Sequence, residues 1–234
     1  MRIWDVSPGY LNRQSLLGEH RELHGLHSIL VNGKRGYAAH PETRRWVGAA
    51  GALICRHELL VAEMTLRGYR DRTPLAGGEH AAWPATFVTD PADQLRLLRA
   101  KYVGREAGRI RLPLNAQELW AQHTYSVMAR SPREYRLLGR RVARLRGRDA
   151  WRDLARELVL LLREPPPACR TATAVEHMWG YVRRHATADE VTAARRDPQA
   201  MFAQTQAIAL RVRQPYLLAS TALGELALAF APAR

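Results

Sequence analysis

Residues 14–25, QSLLGEHRELHG, running from Gln14 to Gly25, set the reading of the chain. Taken as a helix at about 100° per residue, they place Leu16 and Leu23 on one face, which Leu30 extends a heptad later. Roughly opposite lie Gln14, Gly18, Arg21, Glu22 and Gly25. That face holds one amide, one base, one acid and two glycines. A glycine inside a helix costs about 1 kcal/mol relative to alanine. Two beside Glu22 mark either an ordinary solvated face or one kept bare so that something large can approach.

Working outward, the helix is expected from about Leu11 to Val31, stopped by Asn32-Gly33, a C-terminal signal. Lys34 and Arg35 follow at once. Further helices are expected at Pro41–Trp46, at Ala52–Arg67 with Gly68 ending it, and at Ala92–Val103. Tyr69–Pro91 is rich in Gly and Pro, lacks helical periodicity and reads as a long loop. Gly104–Pro113 reads as a linker. Beyond it, helices are expected at Asn115–Met128, Asp149–Leu162, Thr173–His185 and Thr187–Arg196, then from Pro198 onward with an interruption at Pro215. Another starts at Ser131-Pro132-Arg133-Glu134, a capping box with Pro at the first helical position. No alternating strand pattern is convincing. The fold class is all-α, with two helical domains at 1–104 and 114–234 joined by a short linker.

The 234 residues include 36 Lys and Arg against 22 Asp and Glu, a net charge of +14. A polyanion is the natural partner of such a chain. Lys34 and Lys101 are the only lysines, so a Schiff-base mechanism has few side-chain amines to choose from. Charge is uneven: residues 1–104 carry a net +4 and residues 105–234 a net +10. Cys55 and Cys169 stand far apart with no CxxC, which indicates neither a zinc ribbon nor a disulfide framework. A reducing, cytoplasmic compartment is expected. The start MRIWDVSPGY carries Asp5 and no long apolar core, unlike a signal peptide. No apolar run reaches about 18 residues, and the apolar tail from Tyr216 contains Glu225, so no membrane span is expected.

The ordered residues Leu11, Gln14, Leu17, Glu19, Arg21, Glu22 and Leu23 form the pattern LxxQxLxxExREL, joined by AsnGlyLysArg at 32–35 and AlaGluMetThrLeuArgGlyTyr at 62–69. On these residues the chain, over roughly 1–105, resembles the pyrimidine dimer DNA glycosylase/AP lyase family. The resemblance implies an all-α protein whose nucleophile is the α-amine of the first residue. That amine attacks C1′ of a damaged nucleotide to form a Schiff base, and a glutamate of the first helix supports base loss and β-elimination. By resemblance the catalytic pair is Met1 and Glu22, with Arg2, Gln14 and Arg21 facing DNA. The chemistry is sound, since α-amines ionise near pH 8, far below lysine, and are partly neutral and nucleophilic at physiological pH. A nearby carboxylate can orient the amine and move protons. Methionine before Arg2 is expected to be retained. Ser15 stands where the family has a histidine, and Gly25 where it has an arginine.

Lys34 and Arg35, just past a helix end, read either as dipole compensation or as phosphate contacts. His20, His24, His27, His40 and His57 are expected at core or rim positions, with His40 and His57 able to border a cleft. No acid or cysteine in sequence completes a ligand set with them, so no metal and no cofactor are expected. In the second half, Arg133, Arg136, Arg140 and Arg144 recur once per turn, flanked by Arg141 and Arg148. Few acids lie four residues away, so the stripe reads as a phosphate-binding face, against the ordinary solvated face. Trp120, His123, Tyr125, MARSP at 128–132, Tyr135, HisMetTrpGlyTyr at 177–181 and ProTyrLeu at 215–217 resemble the YbgA-like helical domain of uncertain function. His177 and Trp179 read either as a core cluster or as a base-stacking pocket. The expected partner is nucleic acid, double-stranded damaged DNA by resemblance. The alternative is a non-catalytic binder of DNA or of structured RNA such as tRNA.

Overall fold

The first long helix, α1 (Arg13–Asn32), starts where Asn12 caps it by accepting from Ser15 N and stops where Gly33 turns left-handed at φ 61°. The computed structural model describes residues 1–75, 82–147 and 151–230. Among them every regular element is a helix. Two compact units divide between Gly108 and Arg109.

In the first unit α1 is followed by α2 (Pro41–Arg45), α3 (Ala50–Leu66) and α4 (Pro91–Lys101). Residues 69–75 and 82–90 form no helix, and 76–81 of the expected loop lie outside the described residues. Leu16, Leu23 and Leu26 of α1 are fully buried with Leu53 and Leu60 of α3 and Leu95 and Leu98 of α4. Leu26, rather than the Leu30 expected from heptad spacing, completes the inner face of α1, and Leu30 is only half-buried. A straight helix drifts off a strict seven-residue repeat, so the third apolar position falls closer in.

The core of this unit is unusually polar. Glu19, Arg56, His57 and Glu63 are all buried. Arg56 grips Glu19 with two bonds, Nε to Oε1 at 2.8 Å and Nη2 to Oε2 at 3.0 Å, while its Nη1 donates to Val6 O. Arg67, held by Glu63, donates to Leu11 O at 2.7 Å and closes the turn of residues 8–10. Residues 105–108, inside the segment read as a linker, are fixed to this unit. Glu106 accepts from Asn12 and Arg13, and a Cβ on Gly108 would meet the Tyr10 backbone at 2.5 Å.

The second unit holds α5 (Ala116–Met128), α6 (Pro132–Arg144), α7 (Arg152–Leu162), α8 (Ala168–Val182), α9 (Ala188–Ala194), α10 (Pro198–Arg211), α11 (Pro215–Leu218) and α12 (Ala222–Glu225). Helix α5 packs on α6, α7, α8 and α12. Ser131 caps α6 through Glu134 N, while the reciprocal capping box forms at Thr187 and Glu190. Helix α8 starts directly after Pro167, five residues earlier than its sequence periodicity suggests. Two arginines tie carbonyls that no helix satisfies. Arg130 donates to Ser126, Leu162 and Glu164 oxygens and pairs with Glu225 at 2.9 Å, and Arg109 donates to Leu218 O and Ser220 O. Ser126 and Thr221 hydroxyls meet at 2.7 Å in the core.

Removing one member of a buried ion pair leaves the other charge uncompensated, at a cost of about 3–5 kcal/mol. Arg56→Met should therefore lower the unfolding free energy from urea denaturation by that order, and Glu19→Met/Arg56→Met should recover part of the loss. His123 gives a pH signature in the second unit. Burial lowers its pKa below the ordinary histidine value, against its bond to Leu119 O and the Glu225 charge, with Arg130 adding to the lowering. The unfolded chain then binds the proton first, so stability falls as pH drops below about 6.5 toward the folded value. The slope of unfolding free energy against pH in that window should flatten in His123→Gln.

Candidate active site and nucleic-acid interface

The segment before α1 lies against that helix with its amides aimed at acids. Arg2 N donates to Glu22 Oε2 at 2.6 Å, and Trp4 N donates to Glu19 Oε1 at 3.0 Å. Amides two residues apart in an extended segment thus meet carboxylates three residues apart on a helix, a spacing that places both acids near one face. Asp5 N donates to Gln94 Oε1 of α4 at 2.8 Å, and Gln94 Nε2 returns a bond to Asp5 Oδ2 at 2.8 Å. Arg45 of α2 pairs with Asp5 and with Glu42, which also accepts from Trp46 Nε1. Burial pushes the Glu42 carboxyl above its usual range, and Arg45 counters it. Residues 2–6 are therefore anchored by all four helices of the unit, α3 acting through Arg56.

This arrangement brings Met1 and Glu22 together. The Met1 nitrogen is three bonds up the chain from the amide that Glu22 holds, which keeps it within about 6 Å of that carboxylate oxygen. Glu22 is exposed and Glu19 buried, so one carboxylate serves the fold and the other is open to a ligand. Arg2, expected to face DNA, is half-buried. Its guanidinium stacks on Trp4 at 5.0 Å and reaches Thr89 Oγ1 at 3.4 Å. Gln14 and Arg21 are exposed on the outer face of α1, and Arg105 Nη1 reaches Gln14 Oε1 at 3.4 Å. A Cβ on Gly18 or Gly25 would meet nothing within 4 Å, so this face is open. Lys34 and Arg35 are exposed beyond the Gly33 cap, about 15 Å along the helix axis from Glu22.

In the second unit Arg133, Arg136, Arg140 and Arg144 are exposed along α6, and none pairs with a carboxylate among the described residues. Arg141 pairs with Glu157, and Arg148 lies outside the described residues. Of the expected aromatic pair, Trp179 is core and His177 is exposed. The aromatic cluster is instead Tyr125, Tyr181 and Tyr216, with Tyr181 stacked on Tyr216 at 5.0 Å and 12°. Tyr181 is partly exposed. Burial and the neighbouring phenols push the Tyr125 hydroxyl far up.

A second constellation in the first unit joins three histidines. His20 and His24 lie one turn apart on α1, His57 is wholly buried on α3, and Asp71 follows α3. One ligand atom from each of the four lies within 4.8 Å of the others. Burial lowers the pKa of His20 and His24, so both are neutral at physiological pH. Burial opposes ionisation of Asp71, but the Thr73 amide and the nearby His57 and His20 hold its pKa below the usual range. Nε2 of His20 and of His57 are buried with no hydrogen-bond partner among the described residues. An unmet buried polar group costs about 1–3 kcal/mol. The histidine spacing is visible in the sequence; the part played by Asp71, 14 residues past His57, is not.

The first unit is a helical domain that holds the first residues of the chain against two acids of one helix. Its residues 1–76 match the family described as pyrimidine dimer DNA glycosylase. Residues 124–197 match the family described as protein of unknown function (DUF1722). The chain thus joins two domain types in the order its sequence resemblances run, and its first unit is pyrimidine dimer DNA glycosylase-like. No curated protein and no solved structure matches the chain. No helix among the described residues is long and apolar enough to cross a membrane.

Proposed function

We propose that the protein is a DNA repair glycosylase with AP lyase activity, in which the Met1 α-amine is the nucleophile and Glu22 its partner. The observation that carries this reading is the bond from Arg2 N to Glu22 Oε2 at 2.6 Å. It ties the carboxylate to the first peptide of the chain, and the open space at Gly18 and Gly25 on the same side of the helix supports approach by a nucleic-acid backbone. The amine adds to C1′ as the bond from C1′ to the damaged base breaks, and the base departs with a proton. Loss of an amine proton and opening of the sugar ring leave an iminium between Met1 and C1′. Glu22 then accepts a C2′ proton, the 3′ C–O bond breaks, and water releases the amine. Gln14, Arg21 and Arg105 meet phosphates flanking the lesion, and Lys34 and Arg35 meet phosphates farther along. Arg2 orients the first peptide through Trp4 and Thr89. The family matched over residues 1–76 acts in its description on pyrimidine dimers, and duplex DNA carrying a dimer or an abasic site is the substrate proposed here.

Borohydride reduction should trap a covalent adduct with abasic or dimer-containing duplex, and peptide mapping should place it on Met1. Glu22→Gln should lower strand cleavage by about 10²-fold or more, the usual scale for a lost general acid–base group, with duplex affinity nearly unchanged. Extending the chain by one glycine ahead of Met1 should abolish trapping. Absence of an adduct on any damaged duplex overturns the reading.

Arg133, Arg136, Arg140 and Arg144, which pair with no carboxylate among the described residues, favour a second element, non-catalytic binding of nucleic-acid phosphates by the second unit. Arg136→Ala/Arg140→Ala/Arg144→Ala should weaken binding to duplex DNA or structured RNA of any sequence. It should reduce the slope of log affinity against log salt by about 0.7–0.9 for each phosphate that is no longer neutralised.

A further inference from the structure

We infer that His20, His24, His57 and Asp71 form a closed, structural binding site for one divalent transition-metal ion, with zinc the best fit to the donor set. The inference is independent of the glycosylase reading, because it rests on a different face of α1. Four observations carry it. The donors are three imidazoles and one carboxylate, a set that suits zinc, cobalt or nickel rather than magnesium or calcium. The three ring centroids form a nearly regular triangle of 4.7, 5.0 and 4.9 Å. Three histidines on one tetrahedral ion, with metal–nitrogen bonds of about 2.0–2.1 Å, hold their ring centroids about 5 Å apart. The rings therefore already stand at the spacing the ion requires, and closing on it needs ring rotation more than backbone movement.

Two of the ring nitrogens lie buried in this cluster with no contact closer than the Asp71 carboxylate. His57 is wholly buried, and its Nε2 and that of His20 are the unmet atoms. Their nearest charged neighbours are the Asp71 oxygens, at 3.4 Å from His20 and 3.9 Å from His57. The surroundings also orient the donors as metal sites do. His57 Nδ1 lies 3.3 Å from Glu58 Oε1, which leaves Nε2 as the lone pair for a metal. Thr73 donates its amide to Asp71 Oδ1 at 3.0 Å, and its hydroxyl lies 3.1 Å from His24 Nε2.

Four protein donors leave no open position, which is the mark of a structural rather than a catalytic zinc. The ion would join α1 to α3 and tie down the segment that leaves α3, where residues 69–75 have no helix of their own. Packing alone explains this convergence less well, because it leaves the wholly buried Nε2 of His57 unmet.

The full chain, stripped with a chelator and dialysed, should bind one zinc per chain and keep it through gel filtration. Cobalt in its place should give the visible absorption of a tetrahedral N/O site. Zinc should raise the thermal midpoint of the first unit, and Asp71→Asn and His24→Gln should each lower zinc affinity at least tenfold. Both residues have side chains at the rim, so these variants are suited to keeping the fold. His27→Gln, the neighbouring imidazole outside the set, should bind like the parent. The inference is overturned by sub-stoichiometric binding in the folded chain, by an octahedral cobalt spectrum, or by stoichiometric binding that survives both variants.

Discussion

The first unit depends on the buried Glu19 carboxylate and on how its lone pairs are used. Arg56 takes both oxygens and Trp4 N takes one again. A carboxylate this deep is tolerated only when nearly every acceptor position is filled, and filling them fixes three elements at once. Helix α3 is held through Arg56, the leading segment through Trp4 and Val6 O, and α1 through Glu19 itself. Without that anchor the leading residues would be held by Asp5, through Gln94 and Arg45, and against α1 by the bond from Arg2 to Glu22. An exposed hydrogen bond of this kind contributes only about 1 kcal/mol net. The register of the leading segment on α1 therefore depends strongly on a residue three places from Glu22 in sequence.

Much of the helical frame is legible in the sequence, because its signals are local. Asn32-Gly33 ends α1 and Gly68, at φ 77°, follows α3; prolines open α2, α4, α6 and α10. The start of α8 is not legible, because Pro167 stands at its cap and the polar first turn masks the apolar period. The polar core is also hidden. Glu19 and Glu22 are the same residue type, three apart, and only the elements packed on the helix decide that one is buried and the other exposed. Arg56 and Arg67 look in sequence like two more members of an arginine-rich chain, yet both are consumed by carboxylates and backbone carbonyls. The number of basic residues therefore overstates what a polyanion meets in the first unit. The α6 stripe, without such partners among the described residues, is a truer measure of free charge.

The directions around α1 assign separate tasks to one helix. At about 100° per residue, Ser15, Leu26, Glu19, Leu23 and Leu16 span the inner arc, and all five are buried. Glu22 borders that arc on one side, where the leading segment runs. His20 and His24 border it on the other side, where α3 and Asp71 lie. Arg21, Gln14, Gly25 and Gly18 fill the remaining outer arc, which is open. Glu22 and the histidine pair are thus about 160–200° apart around the axis, too far for an ion on one flank to touch an amine on the other.

This separation bears on chemistry. A metal near an amine nucleophile would compete for its lone pair, since both a Schiff base and a metal bond need the neutral amine. Holding the histidine cluster on the opposite flank of the helix removes that competition. It also stiffens α1 against α3 without covering the face that carries Glu22. A helix used from three sides in this way has few positions left for helix-favouring residues. Gly18 and Gly25 lower the intrinsic helicity of α1 by about 1 kcal/mol each. Tertiary anchors of the kind supplied by Glu19 offset that cost, and they leave the outer arc flat enough for a polymer backbone to lie against it.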